Sequence, residues 1–331
     1  MDVKDFIIIF MSVFFEAMPF IVLGALISGV LEELVPQEMV TRYMPRNRFL
    51  AISMGCLLGL IFPMCECGIV PIMRRLLRKG VPLSACVAYM LAGPIINVVV
   101  FGSTFMAFRA YANEGGYFII GFRMGLGFLV AFGTALVVDK LEKKNGLAAL
   151  LTLSALPPPP PAKMISLTVS GEKTESPAAQ PRTVMQLLGN ISESALHDFV
   201  DISVFLVLGA VLASLSRMLI GNDRIAQLSL QYPPVAILAM MGLAVLMCIC
   251  SEADAFIAAS YSTMHPSAKI AFLVFGPMFD FKLLLMFTRV YRPKLIRVIV
   301  LALVVQVFLY TLALHYLWDP LGWPRPGKPW P

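Results

Sequence analysis

Long apolar stretches separated by short polar turns occupy most of the chain. A transmembrane helix needs about 20 predominantly apolar residues, and most of these stretches reach that length. The pattern predicts eight membrane-crossing segments, four on each side of a hydrophilic interruption. They cover about 6–30, 49–79, 83–108, 117–138, 198–219, 233–257, 268–289 and 295–317.

Composition supports the same class of protein. Of 331 residues, 59% are hydrophobic and 14% are charged, whereas a soluble domain carries about 25% charged residues. This excludes a soluble enzyme, a secreted disulfide scaffold and a disordered chain. The apolar runs are continuous rather than alternating, which excludes an outer-membrane barrel. We therefore expect an all-α polytopic membrane protein.

The net charge of +6 does not point to nucleic acid. Lys and Arg cluster in short loops over 74–79, 140–144 and 289–297, and basic loops of this kind mark the cytoplasmic side of a membrane protein. The first apolar run is too long for a cleavable signal and already carries Glu16, so we expect a retained helix.

Four regions follow from the pattern. Residues 140–196 hold five consecutive prolines, Pro157 to Pro161, and a Ser/Lys/Glu/Pro-rich run, a composition that cannot bury enough apolar surface to fold. We assign 1–139 to a first transmembrane repeat, 140–196 to a hydrophilic linker, 197–319 to a second repeat and 320–331 to a tail.

Glycine and proline interrupt the second and third segments of each half. Proline inside a helix removes one hydrogen bond and clashes with the preceding turn. In hydrocarbon, such a break survives only where protein, water or a ligand satisfies the freed groups. We expect broken helices at the membrane midplane, with the breaks at Pro63, Gly68, Gly93, Pro94, Gly276 and Pro277.

The two halves resemble each other at a constant offset. A shift of 183 residues places Met64-Cys65-Glu66-Cys67 over Met247-Cys248-Ile249-Cys250 and Gly93-Pro94 over Gly276-Pro277, with 8 of 34 positions identical. A similar offset, 185, places Glu16 over Asp201. Repeated halves with paired broken helices are typical of secondary transporters, which bind substrate at midplane between the repeats.

Orientation follows from the number of crossings. Four crossings in each half make the repeats parallel and place the linker and both termini on one side, which we expect to be cytoplasmic. The basic loop at 289–297 then lies outside. Inverted repeats would need an odd number of crossings in each half.

Two Cys-x-Cys segments carry the strongest chemical signal. Thiolates are soft ligands for Zn²⁺, Cu(I) and other thiophilic species. Residues i and i+2 do not share a face of a regular helix, so the paired cysteines need an unwound stretch to act together. We predict that Cys65, Cys67, Cys248 and Cys250 bind a metal or substrate, whereas Cys56 and Cys86 are small buried hydrophobes. We expect no cofactor beyond a bound thiophilic metal ion.

Acidic and amide side chains accompany these thiols. A carboxyl group near the bilayer centre costs at least about 2.5–3.5 kcal/mol, so such residues are candidate cation ligands or proton carriers. Pairing with Arg123 or Lys282 is the structural alternative. The candidates are Glu66, Glu252, Asp254, Asn97 and Asp280, with Glu16 and Asp201 in the first helix of each half.

Enzymatic motifs are absent from the sequence. It contains no P-loop, nucleophile elbow, HExxH or dinucleotide fingerprint, and we do not expect an enzyme. His197, His265 and His315 lie far apart near segment ends, where we expect them to be interfacial.

The run PMCECGIVPIMRRLLRKGVPLSACVAYMLAGPIIN, with SEADAFIAASY and FGPMFDFK in the second half, resembles the bacterial predicted-permease family that includes the arsenical permeases, the ArsP and YraQ-like group. The resemblance implies an inner-membrane permease of two similar halves, in some members exporting arsenic compounds. Many members have Ser between the cysteines, where this chain has Glu66 and Ile249. A carboxylate beside two thiols suits a divalent cation at least as well as an arsenical.

The sequence therefore predicts a secondary permease in the inner membrane that exports a thiophilic metal ion or metalloid, coupled to protons. Its partners are membrane lipid, the substrate and a possible small membrane subunit. Two alternatives are a permease subunit that works only with a partner protein and a membrane thiol redox relay.

Overall fold

A computed structural model describes residues 22–30, 44–45, 47–62, 64–109, 115–152, 189–193, 195–197, 232–261 and 264–318, with single positions elsewhere. Glu16, Pro63, Asp201, most of the linker and nearly all of the tail lie outside the described residues. The helices defined from end to end are α1 (Arg48–Ile61), α2 (Glu66–Arg78), α3 (Leu83–Ala92), α4 (Val98–Phe108), α5 (Gly115–Asn145), α6 (Pro233–Met247), α7 (Asp254–Ser260), α8 (Pro266–Met278), α9 (Phe281–Val290) and α10 (Pro293–Trp318).

The described chain is helical, as the sequence predicts. Among these residues, three helices are long and apolar enough to cross a membrane: Gly116–Asn145, Pro266–Val290 and Pro293–Trp318. The middle of these combines α8 and α9. Shorter apolar helices include α1, α3, α4 and α6.

The centre of the bundle is formed by α3 and α8. Every residue of α3 is buried, and so is every residue of α8 except Gly276. A helix that is apolar on all sides needs neighbours on all sides. Helix α3 packs on α1, α2, α5 and α8, and helix α8 packs on α6, α7, α5 and α10.

Each predicted interruption has a structural counterpart, although not every named residue lies in it. Gly93 ends α3 and Asn97 caps α4. Gly68 lies inside the first turn of α2 and does not break the helix. A Cβ added at Gly24 would lie 2.7 Å from the Cα of Gly68. The absence of a side chain at Gly24 therefore allows the helix over 22–30 to approach α2 closely.

In the second half, the third-segment break comes slightly later than predicted. Gly276 and Pro277 lie in the last turn of α8, and the chain unwinds only at Phe279 and Asp280. Pro277 is tolerated there because the helix ends at the next residue.

Helices α1 and α2 form a hairpin. Gly59 of α1 packs on Gly93 of α3, and Gly55 packs on Ala85, so α1 and α3 run in the same direction. Arg48 at the start of α1 and Gly80 just after α2 line one pocket with Asp139 near the end of α5. Both ends of this segment therefore lie at the same end of the bundle, here called the first end.

Helices α6 and α7 form a similar hairpin at the opposite end, called the second end. Ala244 near the end of α6 packs on Gly276 near the end of α8, and the two helices are in extensive contact, so they also run in the same direction. Helix α8 begins beside the end of α10, where the rings of His265 and His315 lie 4.2 Å apart. Helix α7 ends six residues before α8 begins.

The loop between α9 and α10 lies at the first end. Thr152 donates its backbone N–H to Val290 and Arg292 donates its own to Leu150, at 3.0 and 2.9 Å. Lys294 bonds Asn145 at the end of α5. Four crossings in each half would place this loop and the linker at opposite ends, whereas the described chain has both of them at the first end. Both hairpins return to the end at which they start.

The same contacts change the boundary of the linker. The predicted linker starts at residue 140, but α5 continues to Asn145 and the chain stays packed through Thr152. Leu150 and Leu151 are fully buried. The backbone of Leu151 forms an isolated antiparallel bridge with Tyr291, which fastens the start of the linker to the loop between α9 and α10.

Candidate functional site

The four thiols of the Cys-x-Cys segments lie at the turns of the two hairpins. Cys65 precedes α2, and Cys67 lies in its first turn. Cys248 ends α6 with φ 45°, in the left-handed region, and Cys250 follows in the turn before α7. All four are buried and free of disulfides. Each pair therefore lies at the end of a helix, Cys65 and Cys67 at the start of α2 and Cys248 and Cys250 between α6 and α7.

Three of these thiols share one neighbourhood. Cys65 and Cys67 are close neighbours, and Cys250 lies near enough to Cys65 to interact with it electrostatically. Cys67 and Cys250 both lie near the ammonium group of Lys282. In the part of the chain that the structure describes, no group of three or more histidine, cysteine or acidic side chains is arranged to hold a metal ion.

Cys248 points elsewhere. Its thiol donates to the carbonyl of Val245 at 3.1 Å and faces the backbone N–H groups of Phe281 and Lys282 at the start of α9. Cys248 has left-handed backbone, and its side chain faces the start of α9 rather than the other three thiols.

Lys282 joins two of the predicted acidic residues. Its ammonium group lies 3.2 Å from Glu66 Oε1 and 3.5 Å from Asp280 Oδ2, and all three side chains are almost completely buried. Lys282 and Asp280 belong to the second half of the chain, and Glu66 to the first. The carboxylate between the first pair of cysteines is therefore already neutralised in this structure.

Asp254 is paired with Arg123. Both carboxylate oxygens accept from Arg123 Nη2 at 2.8 Å. The same guanidinium donates to Thr104 on α4 and to the Ser251 carbonyl in the turn before α7. The rigid guanidinium fork makes all these bonds at once, and it ties α4 and α5 to α7. Sequence reasoning named the pairing but missed Thr104 and Ser251, since neutral side chains and carbonyls give no signal in an apolar segment.

Asn97 and Asp280 have matching local roles. Asn97 Oδ1 accepts from the N–H of Val100, and Asp280 Oδ1 accepts from the N–H of Leu283, each at 2.7 Å. Both residues therefore cap the helix that follows the break. Asn97 also donates to the Gly93 carbonyl at 3.1 Å, which satisfies a group that the break frees.

Glu252 is the most exposed of the described acidic candidates. It is only half-buried and accepts from the Ser251 hydroxyl at 3.4 Å, a long bond. It follows Ser251, whose backbone carbonyl accepts from Arg123, and it interacts electrostatically with Asp254.

Two histidines that are distant in sequence meet at the second end. His265 Nδ1 and His315 Nδ1 are 3.1 Å apart, and both lie within 3.1 Å of the Ser267 hydroxyl. The sequence did not predict this contact, because the antiparallel packing of α8 against α10 cannot be inferred from residue spacing. His197 is exposed, as an interfacial residue would be.

Comparison with known proteins gives a consistent picture. The model of a predicted permease family, ArsP_1, matches residues 2–316. The UPF0718 protein YcgR of Bacillus subtilis is 37% identical over 300 residues, covering 90% of this chain and 93% of the relative. A protein of Streptococcus mutans named a putative two-component membrane permease complex subunit is 31% identical over 294 residues, covering 87% of each chain.

A more distant relative is the UPF0718 protein YraQ of Escherichia coli, 24% identical over 124 residues that cover 38% of this chain and 34% of the relative. No solved structure matches. Because the family match spans nearly the whole sequence and includes both cysteine segments, the chain belongs to the ArsP_1 family of predicted permeases.

Proposed function

We propose that this permease moves a thiophilic metal ion or metalloid across the bacterial inner membrane, and that it exports this substrate in exchange for protons. The observation that carries the proposal is that Cys65, Cys67 and Cys250 lie in two buried hairpin turns, near enough for Cys65 to interact electrostatically with the other two. Soft sulfur donors at such a point suit a thiophilic substrate. If the two turns closed on the substrate, Cys248 would become its fourth sulfur ligand.

We further propose that the chain consists of two inverted repeats. Helices α8 and α9 begin 183 residues after α3 and α4, the offset found in the sequence. The contacts between helices also repeat when each helix is replaced by its counterpart in the other half. Helix α2 contacts α9 as α7 contacts α4, and α1 contacts α3 as α6 contacts α8. Such a pseudo-twofold relation between helix sets is the architecture of many secondary transporters.

Inversion follows from the ends of the bundle. The first hairpin opens at the first end and the second hairpin at the second end. With each hairpin counted as re-entrant, each half crosses the membrane three times, an odd number that inverts the second half relative to the first. Non-helical backbone at membrane depth is tolerated where it is buried in protein, and both hairpin turns meet that condition.

The first end is the cytoplasmic one in this proposal. Basic side chains gather there, and Arg109 is the basic residue of the turn between α4 and α5 at the second end. By the positive-inside rule the first end faces the cytoplasm, which removes the difficulty of an external basic loop. The basic residues at the first end include Arg48, Arg74, Arg75, Arg78, Lys79, Lys140, Lys143, Lys144, Arg289, Arg292, Lys294 and Arg297.

Proton exchange is supported by the buried carboxyl groups. Glu66, Asp254 and Asp280 each have a cationic partner in this structure. A carboxylate that loses its partner in apolar surroundings is costly, so it is stabilised by taking up a proton or a cationic substrate. This alternation is what an exchanger requires.

A second candidate is a permease subunit that needs a partner protein. It is favoured by the name of the Streptococcus mutans relative, a subunit of a two-component complex. A third is a thiol redox relay, favoured by the closeness of Cys65 and Cys67. A relay predicts that these thiols cycle through a disulfide, which mass spectrometry of alkylated membranes detects.

The test is uptake into vesicles that contain the purified protein, with Zn²⁺, Cu(I), arsenite and methylarsenite as substrates. We expect uptake of at least one of them to be lost in Cys65→Ser and Cys67→Ser. The matched controls are Cys56→Ser and Cys86→Ser, two equally buried cysteines outside the turns, which should transport normally. Wild-type uptake in Cys65→Ser/Cys67→Ser would refute the thiol site. Uptake restored only by a co-purified membrane protein would favour the subunit candidate.

A further inference from the structure

Two buried ion pairs connect the first half of the chain to the second. Glu66 on α2 pairs with Lys282 on α9. Arg123 on α5, which also holds Thr104 on α4, pairs with Asp254 on α7. Both pairs border the hairpin turns that carry the thiols, so both adjoin the proposed substrate site.

The two pairs lie on opposite sides of that site. Helices α2 and α9 both start at the centre and run to the first end. Helices α4 and α7 both start at the centre and run to the second end. The contact between α2 and α9 therefore lies between the centre and the first end, and the contact between α4 and α7 lies between the centre and the second end.

We propose that the Glu66–Lys282 pair is the cytoplasmic gate of the permease and that the Arg123–Thr104–Asp254 cluster is its outer gate. The assignment rests on the proposed function, since a gate presupposes a transported substrate. Each gate is a charged contact between halves that must separate for the site to open on that side.

The energetics suit a gate. A buried ion pair is stabilised only while both partners remain in place, and a charge left alone in a dry interior is strongly unfavourable. When a pair separates, water must enter to solvate both charges, and that water opens a path on the same side. Both pairs are formed and buried in this structure, with exposed side-chain fractions of 4% or less, so both gates are closed in it.

The pairs are not interchangeable. Arg123 makes bonds to an acid, a hydroxyl and a carbonyl on two helices, whereas Lys282 makes two ion pairs from one ammonium group. The outer contact therefore has more directional bonds than the cytoplasmic one. We expect Asp254→Asn to weaken the outer gate and Glu66→Gln to weaken the cytoplasmic gate.

The experiment measures from which side the central thiols react. Intact spheroplasts and inverted membrane vesicles that contain the permease are treated with a membrane-impermeant maleimide, and labelling of Cys67, Cys248 and Cys250 is quantified by mass spectrometry. Asp254→Asn should raise the ratio of outer to cytoplasmic labelling, and Glu66→Gln should lower it, each by about tenfold for an equilibrium coupled to a single contact.

The matched control is Asp139→Asn. It breaks an ion pair with Arg48 that is partly exposed and lies within one half of the chain, so it should leave the labelling ratio unchanged. The assignment of the gates would be overturned if each variant changed cysteine labelling equally from the outer and the cytoplasmic side. It would also be overturned if neither variant changed the labelling.

A charge-swapped variant covers the case in which a single substitution prevents folding. Glu66→Lys with Lys282→Glu keeps one acid and one base in contact and should restore the wild-type labelling ratio, whereas either substitution alone should not. Because labelling needs no substrate, a shifted ratio without transport would contradict the proposed substrate while supporting the gates. Transport with an unshifted ratio would do the reverse.

Discussion

The ammonium group of Lys282 lies 3.2 Å from the carboxylate of Glu66, although the two residues are 216 positions apart in the chain. Both side chains are almost completely buried, and Asp280 lies on the other side of the same ammonium group. The contact joins the first turn of α2 to the first turn of α9. A single cation thus holds together α2 and α9, the two helices that run from the centre to the first end.

Removing this cation should destabilise the protein. Lys282→Met leaves Glu66 and Asp280 buried without a partner, and breaking a buried pair in this way costs about 3–5 kcal/mol. Thermal unfolding of the detergent-solubilised protein should show the loss. Adding Glu66→Gln and Asp280→Asn to Lys282→Met should restore much of the stability, since no unpaired charge remains. A triple variant less stable than Lys282→Met would contradict the pairing.

Gly59 should not tolerate a side chain. A Cβ there would lie 2.7 Å from Gly93 Cα and 2.7 Å from the Ile96 carbonyl, both backbone atoms that cannot move aside. Gly59→Ala should therefore separate α1 from α3 and reduce stability by about 1–3 kcal/mol. Gly121→Ala is the control, because a Cβ at that position meets nothing within 4 Å. Equal melting temperatures for both variants would refute the close helix contact.

The contribution of Asn97 to stability should come from the hydrogen bonds of its side chain more than from its volume. Asn97→Ala removes the cap of α4 and the donor to the Gly93 carbonyl, and loss of a helix cap alone costs about 0.5–2 kcal/mol. Asn97→Ser keeps a capping oxygen without adding a buried charge, so its loss of stability should be smaller. The melting temperatures of the two variants measure the difference, and the reverse order would show that the cap is not the main role.

The linker should be dispensable only beyond its packed beginning. Replacing 153–181 with a short Gly/Ser bridge should preserve folding and transport, because these residues have the composition of a disordered chain. Extending the replacement to 146–181 removes Leu150, Leu151 and the bonds of Thr152 to the α9–α10 loop, and stability should fall. Equal stability of both deletions would show that this contact contributes nothing.

The sequence predicted the class of the chain because hydrophobicity is a local property. Apolar runs of sufficient length, few charges and basic loops identify a helical membrane protein without reference to any contact. The interruptions were visible for the same reason, since glycine and proline act on the backbone where they stand. Gly93 is an example: it ends α3 in the structure, and its neighbours Pro94 and Asn97 gave the signal.

The direction of the chain after each interruption was not visible. A helix broken at Cys65 continues across the membrane or turns back, and no residue near the break decides between these outcomes. Packing decides: α1 must lie along α3 for Gly59 to meet Gly93, and α2 must return for Arg48 and Gly80 to line one pocket. The number of membrane crossings depends on this step, and local sequence does not decide it.

Among the candidate site residues, the sequence identified the types and the structure assigned the partners. Cys65, Cys67, Glu66 and Asp280 stood out because thiols and carboxyl groups are rare in apolar segments. Which cation each acid meets depends on long-range contacts, as between Arg123 and Asp254, and only the tertiary structure contains them. The physical reason is that a charged residue within an apolar segment is recognisable from the sequence alone. Neutralising its charge requires a partner that folding brings from a distant part of the chain.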